Sequence, residues 1–543
     1  MTRSKTLRAA ALGAALCTFQ LVPTAAMAGV IAGTGAAPSR TTLGASNAVA
    51  LRVSETAPGH HLLFPYFTVQ KGQMTVLHLI NTDFSNGKAV KLRFRGAGNG
   101  DSLLSLQVLM SPGDTWTAAL TSGPGGRAQL ATADNTCTYP ALAKGSAQPL
   151  MVDRLNPAWN EETLHNNTRE GTAEALLMAD IPSAKVYGAQ SDAHSSLYLA
   201  TRLVNGQAPC TPTALDEALT RDIGDEAQAA GLGFAAPSGG LSATWYIIDV
   251  PGSTTFSGAA TSAIAVDSAG HPARANYVVF PQTAEAVPQP ERYTADPLLV
   301  SAGIASRAKD DAGATSMPTA SQVVQAKFYD LPDLSTPYYL RPSELNARQT
   351  AGDLTARLAT TTVLNQYAKD ASVSAQTDWV LSMPTKRYSV AYDYSHAPES
   401  ALVYSVVPPA GTAQPQFFST VTTFAQAGQA CHHHTETPVD REATWRGPSP
   451  IFTGSPPPVT NCGLAAVLAF DSGSSALSSS VSRWVMSPLR LFTNGWMSLR
   501  SPDPAPALPV IGAAFLKLTN PNATAGVAAN YGISFPHVLS RQP

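Results

Sequence analysis

The run Cys431-His432-His433-His434 is the densest group of potential metal ligands in the chain. Imidazole nitrogens bind zinc or copper. If the run lies on a strand, neighbouring side chains point to opposite faces, so at most two of the three histidines can share one ion. Further ligands near in sequence are His396, Asp440 and Glu442. The other interpretation, a solvated loop beside a disulfide, is favoured because a histidine tract is only a compositional signal.

A second candidate is a serine hydrolase site. Gly100-Asp101-Ser102-Leu103 matches the signature tetrapeptide of one class of esterases and lipases, and Asp393 and His396 have the spacing of that class's Asp/His pair. Such enzymes need a serine that a histidine activates. In that class the serine follows the first strand of an α/β sheet and the histidine lies near the chain end. Here Ser102 lies in a Gly/Asn turn after a predicted hairpin, and His396 is far from the end, so we predict no catalytic residue.

A third candidate is a polar cluster formed by Asp378 with Lys386 and Arg387. Perturbed charged groups mark functional sites, but structural ion pairs produce the same pattern. We therefore interpret the cluster as an ion pair at a strand end. Four tryptophans fall on predicted strands, and a core position is expected for Trp116, Trp245, Trp379 and Trp496.

Residues 1–28 have the three regions of a secretory signal peptide: a basic start, an apolar middle and a small-residue end at Ala26-Met27-Ala28. The alternative is a transmembrane anchor, but the apolar run is shorter than the roughly 20 residues that span a bilayer. We therefore predict cleavage after Ala28. The mature chain is expected in the periplasm or at the cell surface, without a transmembrane span.

Four cysteines remain after that cleavage, and an oxidising compartment favours disulfides. Three pairings are possible. We prefer Cys137 with Cys210 and Cys431 with Cys462, because each bond then closes a loop within one half of the chain. The alternative is that the four are free, buried thiols.

Composition excludes several classes of protein. The 543 residues are 44% hydrophobic and 13% charged, which is inconsistent with a disordered polyelectrolyte. Lys and Arg total 35 against 37 Asp and Glu, so the formal net charge is −2. A nucleic-acid partner is not expected, because the chain has no excess of basic residues to neutralise phosphates.

The ordered part of the chain has the pattern of an antiparallel β protein. Short strand-like runs recur about every ten residues with turn residues between them. In residues 88–95, three apolar side chains share one face while Lys91, Arg93 and Arg95 share the other, which predicts a strand with one solvent-exposed face. We predict a mainly β fold with antiparallel, β-sandwich-like (immunoglobulin-like) regions and a few helices. No β-α-β alternation suggests a doubly wound sheet.

The predicted organisation has two β-rich domains, 59–266 and 335–543, joined by a connecting region at 267–334. Residues 29–58 are small, polar and aperiodic, which predicts a flexible leader. The remaining predictions are a strand at 196–204 and helices at 213–229 and 344–367, the last with leucines at helical spacing.

Several segments resemble a family of exported, functionally uncharacterised proteobacterial proteins. They lie in order along nearly all of the mature chain: Leu62-Leu63-Phe64-Pro65-Tyr66-Phe67-Thr68-Val69, Lys88-Ala89-Val90-Lys91-Leu92-Arg93-Phe94-Arg95, Ser111-Pro112-Gly113-Asp114-Thr115-Trp116-Thr117-Ala118, Thr168-Arg169-Glu170-Gly171, Thr377-Asp378-Trp379-Val380, Pro384-Thr385-Lys386-Arg387-Tyr388 and Leu508-Pro509-Val510-Ile511-Gly512. Phe67 stands where the family's opening motif has Tyr. The resemblance implies export and a shared fold, and it implies no catalytic residue.

The functional prediction is an exported structural or binding protein without an identifiable catalytic site. Its expected partner is a protein or another component of the cell envelope. No cofactor is expected, apart from zinc or copper if His432, His433 and His434 bind a metal. The alternative is a secreted hydrolase or metal-dependent enzyme whose site assembles from residues distant in sequence.

Overall fold

The structure, a computed structural model, describes residues 29–156, 158–221, 223–279 and most of 352–541, together with 304–305 and 323–324. Between 352 and 541 the undescribed residues are 389, 393–402, 406–417, 419–422, 444–457, 472–473, 486–492, 502–506 and 525–526. The predicted signal peptide at 1–28, most of the connecting region at 267–334, Asp393 and His396 therefore lie outside the described residues.

Fifteen described strands and four short helices precede residue 280. They are β1 (Gly29–Ile31), β2 (Ala50–Ser54), β3 (His61–Thr68), β4 (Gln73–Asn81), β5 (Asn86–Gly96), β6 (Ser102–Met110), β7 (Thr115–Ser122), β8 (Ala128–Thr132), β9 (Cys137–Tyr139), β10 (Ala147–Pro149), α1 (Glu161–Asn167), β11 (Glu170–Pro182), α2 (Ser196–Thr201), α3 (Pro212–Leu219), α4 (Glu226–Gly231), β12 (Leu241–Asp249), β13 (Thr254–Ala259), β14 (Thr261–Val266) and β15 (Tyr277–Val279).

The described strands after residue 300 form the second half. They are β16 (Ile304–Ala305), β17 (Val323–Val324), β18 (Ala359–Ala368), β19 (Gln376–Ser382), β20 (Val390–Tyr392), β21 (Val403–Ser405), β22 (Thr423–Gln426), β23 (Gln429–Asp440), β24 (Val459–Cys462), β25 (Ala465–Ala469), β26 (Ser482–Trp484), β27 (Asn494–Arg500), β28 (Leu508–Pro509), β29 (Ile511–Thr524), β30 (Val527–Pro536) and β31 (Val538–Arg541).

Two antiparallel sheets face each other in the first half. One has the strand order β2-β14-β3-β11-β5-β6-β9 and the other β10-β8-β7-β4-β12-β13. Residues in β4 and β12 alternate between buried and partly exposed, as expected for strands with one face on a core. Aromatic and aliphatic side chains from both sheets fill the space between them. The predicted mainly β, sandwich-like fold is confirmed.

The seven-stranded sheet is covered on both faces, so the predicted solvent-exposed face of 88–95 is wrong. Its second face packs against α2, α3 and α4 in a separate core. Lys91, Arg93 and Arg95 of β5 are therefore buried. Charged side chains in such a position must find partners within the protein, because their burial without partners is costly.

The second half contains two further sheets around a third core. One has the order β22-β23-β27-β18-β28, with β24 on β23 and β31 on β18, and the other β26-β25-β19-β29-β30. The predicted helix at 344–367 is wrong beyond residue 358. Only 352–358 are helical among its described residues. The β-branched run from Thr360 to Val363 lies in β18, which pairs with β27 and β31.

Three other local predictions differ from the structure. The predicted flexible leader at 29–58 contains β1 and β2, which pair with β15 and β14. The predicted strand at 196–204 is instead α2, because the Ser195 side chain caps its first turn by accepting from the Tyr198 amide. The predicted helix at 213–229 is two helices, α3 and α4, with a break between them.

Tertiary contacts cross between the two halves. Val380, Val467 and Phe515 from the second half belong to the same hydrophobic core as the first two sheets.

The predicted disulfides, Cys137–Cys210 and Cys431–Cys462, are both present. Three tryptophans are buried as predicted, whereas Trp496 is 46% exposed because β27 turns the neighbouring Met497 toward the core. Among the described residues, no helix combines the length and apolar character needed to cross a bilayer.

Candidate functional site

The three consecutive histidines of β23 lie on two different faces of the strand. His432 and His434 are two residues apart and are both buried, whereas His433 lies between them and is exposed. On the exposed face, His433 Nδ1 lies 3.2 Å from Thr460 Oγ1 and its ring packs against Phe424. The strand therefore offers two of the three imidazoles to one side, as the period of two predicts.

The side-chain nitrogen of Lys386 is buried and contacts the ring of His432. Lys386 Nζ donates to the backbone oxygens of Ala430 at 2.6 Å and Gly463 at 3.1 Å, and lies 3.3 Å from His432 Nδ1. Ala430 precedes Cys431 and Gly463 follows Cys462, so the lysine spans the two ends of the Cys431–Cys462 disulfide. Burial lowers the pKa of Lys386 to about 7.

The second buried imidazole, that of His434, is hydrogen-bonded to the carboxylate of Glu436. His434 Nε2 lies 2.7 Å from Glu436 Oε1, and Arg483 donates to the same oxygen. Burial alone would raise the pKa of Glu436, but His434 and Arg483 hold it below its ordinary value. A carboxylate accepts hydrogen bonds only, so His434 carries its proton on Nε2 and has its lone pair on Nδ1.

Each buried imidazole has one nitrogen without a hydrogen-bond partner in the described structure. These atoms are His432 Nε2 and His434 Nδ1, and both are inaccessible to solvent. The two ring centroids are 6.3 Å apart. In most proteins a buried polar nitrogen is satisfied by protein, water or an ion, so this pair requires an explanation.

The other predicted ligands do not join this pair. Asp440 is six residues beyond His434 on the same strand, which places it about 20 Å away. Glu442 is exposed and pairs with Arg441. His396 lies outside the described residues. Within the described part of the chain, no three His, Cys, Asp or Glu side chains are grouped closely enough to hold a metal ion.

A cavity beside Lys386 is too small for an organic substrate. It is lined by Gly98, Asn99, Lys386, Ala430 and Gly463, among others, and has a volume of about 10 Å³. That is the room that one water molecule needs. A neutral lysine is a nucleophile, but this one has no space beside it for a carbonyl compound.

Glu174 forms a second buried charged centre. Its carboxylate receives Arg95 Nε at 2.8 Å and Arg387 Nη2 at 3.3 Å, and His61 Nε2 lies at 3.2 Å. Burial alone would raise the pKa of Glu174, but Arg387 and Arg95 hold it well below its usual range. Arg387 comes from the second half of the chain, so this centre joins the two halves.

Glu170, four residues earlier on β11, forms a third centre. Its two carboxylate oxygens accept hydrogen bonds from Tyr66 Oη (2.5 Å), Gln70 Nε2 (2.8 Å), Ser479 Oγ (2.5 Å), and the amide and hydroxyl of Ser480 (2.6 and 2.7 Å). Burial and the neighbouring carboxylate raise the pKa of Tyr66. Residues from both halves again meet at one acidic side chain.

The loop that carries Ser479 and Ser480 also donates hydrogen bonds to Asp378 of β19. Asp378 Oδ2 accepts hydrogen bonds from Ser475 Oγ at 2.5 Å and from the Leu477 amide at 2.9 Å. Its Oδ1 has no partner in the described structure. Burial raises the pKa of Asp378 to about 6.

The predicted cluster of Asp378 with Lys386 and Arg387 therefore separates into three different environments. Asp378 contacts the serine loop, Lys386 contacts backbone carbonyls and Arg387 contacts Glu174. Sequence reasoning missed Glu170 and Glu174. The available signal was the three acidic residues of the largely apolar β11, Glu170, Glu174 and Asp180, with Glu174 in register with Arg93 of the neighbouring strand.

Replacing Asp378 by asparagine is expected to change stability in a pH-dependent way. The folded-state pKa near 6 exceeds the unfolded value of about 3.9, so Asp378 contributes its full stability below pH 4 and loses it as the pH rises through 6. Asparagine does not titrate. The stability of wild type relative to D378N should therefore fall by about 2 kcal/mol between pH 4 and pH 8, mostly between pH 4 and pH 6.

Urea unfolding of both proteins at pH 4, 6 and 8 measures this difference. The exposed Asp192→Asn variant is the matched control, and its stability relative to wild type should change little over that range. A D378N difference that is the same at all three pH values would contradict the assignment.

Ser102 is positioned as part of a sheet. It is the first residue of β6, it is buried, and it pairs with Arg95 of β5. Ser102 is therefore shielded from solvent by the rest of the described structure.

Comparisons of the chain with protein-family models, with curated proteins and with solved structures each returned no match.

Proposed function

We propose that the chain is an exported protein of the periplasm or cell surface that acts by binding or by building structure, without catalysis. One observation carries this proposal: the buried charged groups contact other parts of the same chain. Glu170, Glu174 and Lys386 each join elements that are distant in sequence. Such contacts stabilise one arrangement of the sheets, and they leave these groups facing protein atoms.

Two features support export. Disulfides form and persist in oxidising compartments, and the chain has two of them. Residues 1–28 have the pattern of a signal peptide. The resemblance to a family of exported proteobacterial proteins supports the same location. We propose that the partner is a protein or another component of the cell envelope.

The enzyme alternative has less support. A hydrolase needs a nucleophile that a substrate can reach, with a base beside it. Ser102 is 3% exposed. The cavity at Lys386 has room for water only. These positions favour a structural role for both side chains.

Expression of the full-length chain in a Gram-negative host, followed by fractionation and intact-mass measurement, tests the proposal. The expected result is a periplasmic or surface-bound protein that begins at Gly29 and has no free thiols. The Leu16→Arg variant, which breaks the apolar segment, should stay in the cytoplasm with Met1 or Thr2 at its N-terminus. A wild-type chain found unprocessed in the cytoplasm would overturn the export proposal.

The same purified protein distinguishes binding from catalysis. Wild type and Ser102→Ala should hydrolyse short-chain p-nitrophenyl esters at the same background rate. Hydrolysis that wild type shows and Ser102→Ala lacks would support the hydrolase alternative instead.

A further inference from the structure

We propose that two copies of this chain associate face to face through the outer face of the six-stranded sheet. This outer face consists of the residues of β4, β7, β8, β12 and β13 that point away from the first hydrophobic core. The inference goes beyond the proposed function, and it does not depend on export.

The outer face lacks the covering layer that its companion sheet has. In β4, β7, β8 and β12 every second residue is buried, and the residues between them reach the surface. The seven-stranded sheet is covered on its second face by α2, α3 and α4. By contrast, none of the outer-face side chains belongs to any of the three hydrophobic cores of the described structure.

The outer face is uncharged and partly apolar. The outward residues of its five strands include no Asp, Glu, Lys or Arg, whereas a well-solvated surface carries about 25–35% charged residues. Val76 lies opposite Tyr246 in the ladder of β4 and β12. Met74 lies opposite Ile248 in the same ladder. A contiguous apolar patch of this kind on a protein surface marks a site of association.

The register of the strands makes the outer face complementary to itself. Val76 is flanked by Ala119 of β7 on one side and by Tyr246 of β12 on the other. A two-fold axis that runs along β4 exchanges these two sides, so each Tyr246 faces Ala119 of the partner subunit. A large side chain then meets a small one. Because the face is uncharged, no like charges meet across the axis.

The area of the outer face is sufficient for a specific dimer. Five strands about 4.8 Å apart, each of about seven residues at 3.4 Å per residue, give roughly 24 Å by 24 Å, or about 570 Å² per copy. Two copies therefore bury about 1,100 Å², which exceeds the roughly 1,000 Å² that a specific interface requires. Since this is the lower end of the range, we expect a dimer whose population depends on protein concentration.

Sedimentation velocity of the purified mature protein over a range of concentrations tests the proposal. Wild type should change from monomer to dimer as the concentration rises. Val76→Lys and Ala119→Arg each place a charge in the interface and should raise the dissociation constant of the dimer about a hundredfold or more. Val538→Lys introduces the same charge at a 63% exposed valine on β31, so this control should dimerise like wild type. Circular dichroism and urea unfolding establish that the variants are folded.

A second measurement uses wild type alone, so it does not depend on the folding of variants. Hydroxyl-radical modification of Met74 and Tyr246 should fall as the concentration rises, whereas that of Trp496, 46% exposed in the second half, should stay constant. Dimerisation that Val76→Lys and Ala119→Arg leave unchanged would overturn the proposal. A monomeric wild type, with Met74 and Tyr246 equally reactive at every concentration, would overturn it too and would leave the outer face to a different protein.

Discussion

Replacement of Glu174 by glutamine is expected to lower the free energy of unfolding by about 3–5 kcal/mol. The carboxylate lies between Arg95 and Arg387, with His61 on a third side, and all four side chains are buried. Glutamine keeps the size of the side chain but removes its charge. Two buried guanidinium groups then face a neutral amide, and the loss of one partner in a buried ion pair is far more costly than the loss of an exposed pair.

Urea unfolding at pH 7 measures the effect of E174Q, and Glu217→Gln is the matched control. Glu217 forms an exposed pair with Arg221 at 2.9 Å on α3 and the turn after it. Exposed pairs of this kind contribute about 0.5 kcal/mol or less. If E174Q and Glu217→Gln destabilise the protein equally, the Glu174 centre does not stabilise the contact between the two halves.

The pH dependence of E174Q has the opposite sign to that of D378N. Because the pKa of Glu174 is depressed in the folded state, its contribution is complete above the unfolded value of about 4.3. It is lost as the pH falls further, through the folded-state pKa. The stability of wild type relative to E174Q should therefore fall in acid, whereas the stability of wild type relative to D378N should rise there.

The sequence predicts the strands well where one face meets a core and the other meets water. In β4, alternate residues from Gln73 to Asn81 are buried, which is the signal that period-two alternation contains. The favoured disulfide pairing also agrees with the structure. The first inference depends on local pattern and the second on which cysteines lie in the same half of the chain, and both are properties that a sequence carries directly.

Predictions from the sequence are wrong where contacts with distant segments determine the burial or the secondary structure of a residue. Lys91, Arg93 and Arg95 have the pattern of an exposed face, yet α2–α4, more than a hundred residues later, cover that face. In 344–367, Leu358 ends the described helical residues and the next stretch becomes a strand because β27 and β31 pair with it. Tertiary pairing outweighs helical leucine spacing at this position.

In the candidate site, too, the local sequence pattern predicts some features, and contacts between distant segments determine the others. The period of two correctly predicts that His432 and His434 share a face while His433 does not. It says nothing about Lys386, which is 46 residues away from His432 in sequence. Likewise, Glu170 meets Ser479 across 309 residues. Such contacts follow from the packing of the two halves.

Removing the Cys137–Cys210 disulfide by the double substitution C137A/C210A is expected to cost about 4 kcal/mol of stability. The bond closes a loop of 73 residues, and its loss gives the unfolded chain back that conformational freedom. The second disulfide spans 31 residues, so C431A/C462A should cost about 0.8 kcal/mol less by loop-closure entropy. Urea unfolding of both variants without reductant measures the two values.

The position of the first bond also predicts where the variant becomes sensitive to protease. Cys137 lies on β9 at the edge of the seven-stranded sheet, and Cys210 lies between α2 and α3, so the bond fastens the helical layer to that edge. Limited proteolysis of C137A/C210A should cut first between residues 196 and 219, while C431A/C462A stays protected there. Equal protection of this segment in both variants, with unfolding energies within 1 kcal/mol of wild type, would mean that the packing of α2 and α3 in the second core holds the layer without the covalent bond.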